Sequence, residues 1–269
     1  MGSLSTAPQV RRTPRLVVEV RPAPDGDFAR IGYLAIALGV ALHVGIAWSV
    51  HGDAIGGLVT AAAACLAAFA WATAAAVRLG RVTLVYLHMC AAAAAGVWCS
   101  AVGLGREPPA FLASSVIALL LVGAVGRIGC HRAGCCVGRL QRCGIIYRPD
   151  PDEVDPHPVV LAPVQLVEAV TNAALVVVTS SLMLSGRSDS EVIGVGVAGY
   201  TAIRLVLELW REPAGRASLL GINHTVPTAY PLLVGASLLI WPTPASLLAL
   251  VGGTVALGVH LARATARRI

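Results

Sequence analysis

Apolar runs about as long as a membrane-spanning helix recur along this chain with short polar breaks between them, and that pattern leaves few folds open to it. Hydrophobic windows place candidate spans near Phe28–Val50, Ala54–Val77, Val82–Leu104, Ala110–Val125, Leu161–Leu184, Glu191–Trp210, Ala229–Trp241 and Ala245–Ala262. Between the last two, Trp241-Pro242-Thr243-Pro244 reads as a tight turn or as a kink in one tilted segment, because proline lacks a backbone donor. Seven or eight spans follow. The chain is 57% hydrophobic and 13% charged, with a mean hydropathy of +0.77, whereas soluble domains hold about 25% charged residues. A soluble enzyme is thereby excluded. The expected fold is an all-α membrane protein, a polytopic bundle over residues 28–262. A polar, Arg-bearing tail (1–27) precedes it, a basic tail (263–269) follows, and one long extramembrane head loop (127–160) interrupts it. Residues 1–27 do not read as a secretory signal, since the first apolar run is long enough to remain as a spanning helix.

Charge enters this frame sparingly. All 20 basic residues are Arg and none is Lys. Arg pairs bidentately with phosphate, which suits anionic lipid headgroups, although a biased genome composition yields the same preference. No nucleic acid is expected as a partner. The low-complexity Ala runs at 61–64 and 91–95 fall inside helices and suit close helix packing.

The densest polar segment lies at the start of the long loop, Gly126-Arg127-Ile128-Gly129-Cys130-His131-Arg132-Ala133-Gly134-Cys135-Cys136-Val137-Gly138-Arg139. A loop of this length in a tight bundle is usually functional or disordered. Its front half reads as functional and its Pro-Asp half, Pro149 to Pro156, as solvated turn. Cys65, Cys90 and Cys99 sit in apolar helices as small hydrophobes. Cys130, Cys135, Cys136 and Cys143, with His131 and His157 nearby, offer ligands for Zn²⁺ or Cu(I), but the spacing is not a C-x2-C knuckle. In an oxidising compartment disulfides are the alternative.

Three further features carry chemistry. Tyr200, Arg204, Glu208 and Arg211 recur at helical spacing on the sixth span and share one stripe, which must face protein or water. An unpaired charge at mid-bilayer costs about 2.5–3.5 kcal/mol, so these groups should pair, as Arg204 with Glu208, or touch a charged ligand. Gln165 and Glu168 face one side of the fifth span and could close a polar pocket with the loop. His88 lies in the third span, where a lone His is either a satisfied core residue or a proton carrier.

Taken together these segments resemble the bacterial prolipoprotein diacylglyceryl transferases. The signature is similar to that family's Gly-Arg-x-Gly-Asn-x-x-Asn-Gly-Glu-x-x-Gly block, with Gly126, Arg127, Gly129, Gly134 and Gly138 in register. Pro163 to Glu168 resembles its His-Pro-x-Gln-Leu-Tyr-Glu block, and the sixth span resembles its Tyr-x-x-x-Arg-x-x-x-Glu-x-x-Arg helix. His88 stands about where the family's His-Gly-Gly histidine stands. The chain departs from the pattern at Cys130 and Cys135, which replace Asn and Glu, at His88-Met89-Cys90, at Ala162 for His and at Val167 for Tyr.

The resemblance implies transfer of the diacylglyceryl group of phosphatidylglycerol to the lipobox cysteine of a prolipoprotein, in a bacterial plasma membrane, with no cofactor and no metal. It implies catalytic roles for His88 as base and for Arg127 and Arg204 at the leaving phosphate. Tyr200, Glu208, Arg211, Gln165, Glu168 and Arg139 would bind substrate, and Gly126, Gly129 and Gly138 would let the loop approach lipid. An inactive or re-purposed lipid-binding paralogue and a thiol- or metal-binding membrane protein are the alternatives. Alternating the loops puts most Arg on one face, with Arg106 and Arg187 opposite, and the positive-inside rule calls that face cytoplasmic. The resemblance places it outside, where secreted prolipoproteins present their cysteine.

Overall fold

The computed structural model describes residues 17–20, 25–79, 86–147 and 159–210. The two candidate spans after residue 228, and Arg211, lie outside the described residues. The described residues form six helices and two strands: β1 (Val17–Val20), α1 (Asp25–His51), α2 (Ala54–Leu79), α3 (Tyr86–Gly103), α4 (Pro108–Arg132), β2 (Leu140–Tyr147), α5 (Val164–Leu184) and α6 (Asp189–Trp210). Four of the helices are long and apolar enough to cross a membrane, at Asp27–His51, Ala54–Ala74, Pro108–Arg132 and Val164–Leu184. Large apolar side chains such as Tyr33, Trp48, Ile55, Phe69, Val170 and Val177 point outward. A soluble protein would bury that surface, and in a bilayer it faces lipid.

The central element is α4, which packs against α1, α3, α5 and α6. Its sequence explains this position, because Ala113, Ser114, Ala118, Gly123 and Ala124 are small enough to be buried on several sides. A Cβ at Gly39 of α1 would lie 2.5 Å from Val122, and one at Gly196 of α6 would collide with Val116. Between α2 and α3 the Ala runs pack closely, with Gly96 against the Ala63 carbonyl. Away from the signature, a cluster of Ile117, Met183, Val192 and Ile193 joins α4, α5 and α6. That end also carries local stops and starts: Asp53 Oδ1 accepts from the Gly56 amide at 2.8 Å, and Ser188 with Glu191 forms a capping box before α6. Arg106 meets Asp53 at 2.9 Å, tying the α3–α4 turn to the α1–α2 turn.

About two turns in from the α1–α2 turn, where α1, α2 and α4 meet, lies a buried polar knot. His43 sits 2.8 Å from Thr60 through Nε2, and 3.0 and 3.3 Å from Ser114 and Ser115 through Nδ1. The Thr60 hydroxyl also donates to the Gly56 carbonyl at 2.8 Å.

Two expectations need correction. The fold is not purely helical, because Val17–Val20 pairs in parallel with Gly144–Tyr147, giving a two-stranded sheet at the signature end. The tail therefore contributes a strand: its β-branched Val-Val-Glu-Val run fits a pleated partner and covers an edge that β2 would otherwise expose. The head loop also begins later than residue 127, since α4 continues to Arg132. Glycine inside a helix costs about 1 kcal/mol, but at Gly129 the missing side chain lets α1 approach. A Cβ there would lie 3.2 Å from Ile31.

Candidate functional site

The signature end gathers the last turns of α4 and α6 and the first turns of α5 around one carboxylate. Glu168 is fully buried in the first turns of α5. Arg127 Nε, from the last two turns of α4, donates to Glu168 Oε2 at 2.9 Å. Arg204 Nη1, from α6, reaches the same oxygen at 3.2 Å and Oε1 at 3.4 Å. The Tyr200 hydroxyl donates to Oε1 at 3.4 Å. Tyr200 and Arg204 stand one turn apart and so share a face, as their spacing predicts. Two guanidinium groups thus share one buried carboxylate. Such an arrangement compensates the desolvation of Glu168 and keeps cationic donors aimed at one point, suited to an anionic group with several oxygens.

Beside it the head loop folds back onto α5. Gln165 is fully buried and its Nε2 donates to the Cys135 carbonyl at 2.7 Å, while its Oε1 has no partner among the described residues. The Arg139 amide donates to the Trp210 carbonyl at 2.8 Å and its own carbonyl accepts from the Ala162 amide at 3.0 Å, stitching the loop to α6 and α5. The Arg139 side chain itself is exposed. A Cβ at Gly138 would lie 2.5 Å from the Ala162 carbonyl oxygen. Gly129 and Gly138 thus allow close packing against α1 and the start of α5. Gly126 has open space where a Cβ would stand.

The thiols converge as well. The Sγ atoms of Cys130, Cys135 and Cys136 all lie within 4.8 Å of one another, and Arg127 Nη1 is 3.8 Å from Cys130 Sγ. Gly134 (φ 66°) and Cys136 (φ 56°) are both left-handed, which is uncommon for a residue with a side chain. Hydrogen bonds with Cys130 and Cys136, reinforced by burial, push the Cys135 thiol up. At the rim, the Tyr147 hydroxyl lies 3.0 Å from His131 Nδ1, and burial pushes that phenol up to about 12.

Of the residues singled out by sequence, Arg127, Glu168, Tyr200 and Arg204 meet directly and Gln165 fastens the loop beside them. The carboxylate that receives Arg204 is Glu168, from another helix. The side chains of Glu208 and His88 lie outside the described residues. His88 belongs to the first turn of α3, and Cys90, two residues on, is within electrostatic reach of the Tyr200 hydroxyl, so the start of α3 borders the cluster. Sequence reasoning passed over Asn172, fully buried one turn beyond Glu168 on α5, with neither side-chain polar atom partnered among the described residues. Its signal was available: an amide in an apolar helix, four residues after a carboxylate, on the same face.

No curated protein sequence matches the chain. The family model described as prolipoprotein diacylglyceryl transferase matches residues 87–242, more than half of the 269 residues, and the match spans the first turn of α3, the signature, the Gln165–Glu168 segment and the Tyr200–Arg204 helix. With that match the chain belongs to the prolipoprotein diacylglyceryl transferase family.

Proposed function

We propose that this protein moves the diacylglyceryl group of phosphatidylglycerol onto the thiol of a lipobox cysteine, as a multi-pass enzyme of a bacterial plasma membrane. The observation that carries the reading is the convergence of Arg127 and Arg204 on the single buried carboxylate of Glu168. The acceptor sulfur attacks the glyceryl carbon next to the phosphate ester, a C–S bond forms, and the C–O bond breaks with its electrons passing to glycerol phosphate. Charge grows on the leaving phosphate, and preorganised guanidinium groups stabilise that growth at no reorganisation cost. Tyr200 orients the headgroup from the same face. Glu168 holds both arginines in place, and Gln165 fixes the loop that covers them. His88, at the border of the cluster, takes the acceptor proton, since imidazole titrates near neutral pH. Glu208, Arg211 and Arg139 extend the cationic and polar rim toward the headgroup.

The reading places the signature end outside the cytoplasm, where the acceptor cysteine emerges. Arg residues engaged with a phosphate are not free to obey the positive-inside rule. The test is direct: full-length protein in phosphatidylglycerol nanodiscs is given a lipobox peptide and the peptide mass is measured. A diacylglyceryl increment on the cysteine, lost in Arg127→Gln, is the expected result. A protein that binds phosphatidylglycerol and leaves the peptide unchanged is a lipid-binding paralogue, and the transferase reading then fails.

A further inference from the structure

The family's chemistry is implied to run without a cofactor, yet Cys130 and Cys135 stand where the signature of the family carries Asn and Glu, and with Cys136 they meet at one point. We propose that Cys130, Cys135 and Cys136 bind a zinc-class divalent ion as three thiolates, and that its open fourth position takes the acceptor cysteine of the peptide substrate. The site rests on the transferase reading for its role and on this chain's own residues for its existence.

Geometry supports the ion first. A tetrahedral zinc ion with metal–sulfur bonds of about 2.3 Å sets its sulfurs about 3.8 Å apart, and the three Sγ atoms already lie within 4.8 Å of one another. Cys130 is held on the last turn of α4. Cys135 and Cys136 are adjacent in sequence, and adjacent residues in extended chain point apart. The left-handed turns at Gly134 and Cys136 reverse that and bring both sulfurs to the Cys130 side. Such backbone at a residue with a side chain persists where its surroundings enforce it, and it concentrates at functional sites. Gln165, buried to the last atom, pins the middle of this turn through the Cys135 carbonyl.

Charge and hydrogen bonding around the ligands point the same way. Three thiolates around a divalent ion carry one net negative charge, and the Arg127 guanidinium faces Cys130 at 3.8 Å. Hydrogen bonding to a ligand from outside the metal shell orients it and tunes the metal. The same guanidinium holds Glu168 through Nε, so one side chain spans the thiol cluster and the phosphate-facing cluster. Donor carbon and acceptor sulfur must sit side by side for displacement, and Arg127 sets that spacing.

Three protein ligands leave a tetrahedral ion one open position, as in catalytic rather than structural zinc sites. A thiol that coordinates there is deprotonated outright, and the thiolate is the nucleophile. The peptide thiol binds and gives its proton to His88, the base of the transferase reading. Its sulfur lone pair then forms the C–S bond as the C–O bond breaks and glycerol phosphate leaves. The thioether product is uncharged, a weaker ligand than the thiolate, and it departs. No oxidant or reductant is consumed.

The experiment uses full-length protein in nanodiscs, prepared anaerobically. Zinc-edge X-ray absorption on the unmodified protein should show about one ion per chain with sulfur neighbours near 2.3 Å. Cobalt, added as a spectroscopic substitute, should give a thiolate charge-transfer band that Cys130→Ser, Cys135→Ser and Cys136→Ser each abolish and Cys143→Ser leaves intact. Arg127→Gln should weaken cobalt binding by about 10–100-fold. A lipobox peptide should add a fourth sulfur and shift the cobalt spectrum, and the same peptide with serine for cysteine should not. No bound ion, a disulfide between two of the three cysteines, or a band that survives all three Ser variants overturns the site. A bound ion that the peptide does not perturb, or transfer undiminished after chelation, overturns its role. Because the absorption and cobalt readouts need no transfer from phosphatidylglycerol, their failure is separate from failure of the transferase reading, which shows as an unmodified peptide with and without zinc.

Discussion

Among the described residues two polar clusters are buried in the bundle, and they are built on opposite terms. The knot of His43, Thr60, Ser114 and Ser115 joins α1, α2 and α4 through an imidazole and three hydroxyls, and each described contact closes on another member or on a helix carbonyl. The cluster of Arg127, Glu168, Tyr200 and Arg204 joins α4, α5 and α6 through formal charges. It is flanked by atoms that find no partner among the described residues, Gln165 Oε1 and both polar atoms of Asn172. The first arrangement suits helix adhesion, where polar pairs in membranes contribute about 0.6 kcal/mol each. The second keeps charge and unspent hydrogen-bonding capacity, both acceptor and donor, in one place, which suits a ligand that offers anionic oxygens and hydroxyl groups. Burial of polar groups alone does not mark a site; incomplete satisfaction beside paired charge does.

Substitutions separate the two. The largest effect is expected for Arg127→Gln, which should lower diacylglyceryl transfer by about 10²–10³-fold, as removal of a transition-state donor does; single-turnover rates with the lipobox peptide measure it. Next comes Glu168→Gln, which leaves two guanidinium groups without their buried carboxylate and should cost about 3–5 kcal/mol of stability. Thermal unfolding in nanodiscs reads this loss, and adding Arg204→Gln should restore part of it. Thr60→Val, in the other cluster, should cost about 1 kcal/mol and leave transfer rates at the wild-type value, so a large drop in rate there would erase the contrast. The smallest shift belongs to Asn172→Leu, which removes two unpartnered buried atoms and should hold or raise stability by about 1 kcal/mol.

Much of the frame was legible in the chain because a bilayer imposes a length on its helices. The windows at 28–50, 54–77, 82–104, 161–184 and 191–210 each fall on a helix within a few residues. The α4 window ended too early because Gly126, Arg127, Gly129 and His131 read as loop by composition, while packing of α1 against Gly129 holds the helix to Arg132. Tyr200 and Arg204 were legible from helical spacing, and Arg127 and Glu168 from the resemblance. That Glu168 receives Arg127 and Arg204 together was not, since the partner of a buried charge depends on which helices cross, and local sequence reports only its own helix. β1 was hidden for a related reason: four residues acquire a strand's identity only from the partner that meets them.

That pairing has a consequence for how the protein is made and handled. β1 precedes the six described helices in synthesis, yet β2 emerges only after α4, so the strand waits while α1 to α4 are inserted. Completion of the head is therefore a late event, and an affinity tag or a trimmed leader segment that disturbs Val17–Val20 would leave the helices in place while unfastening the edge of the loop that carries the cysteines.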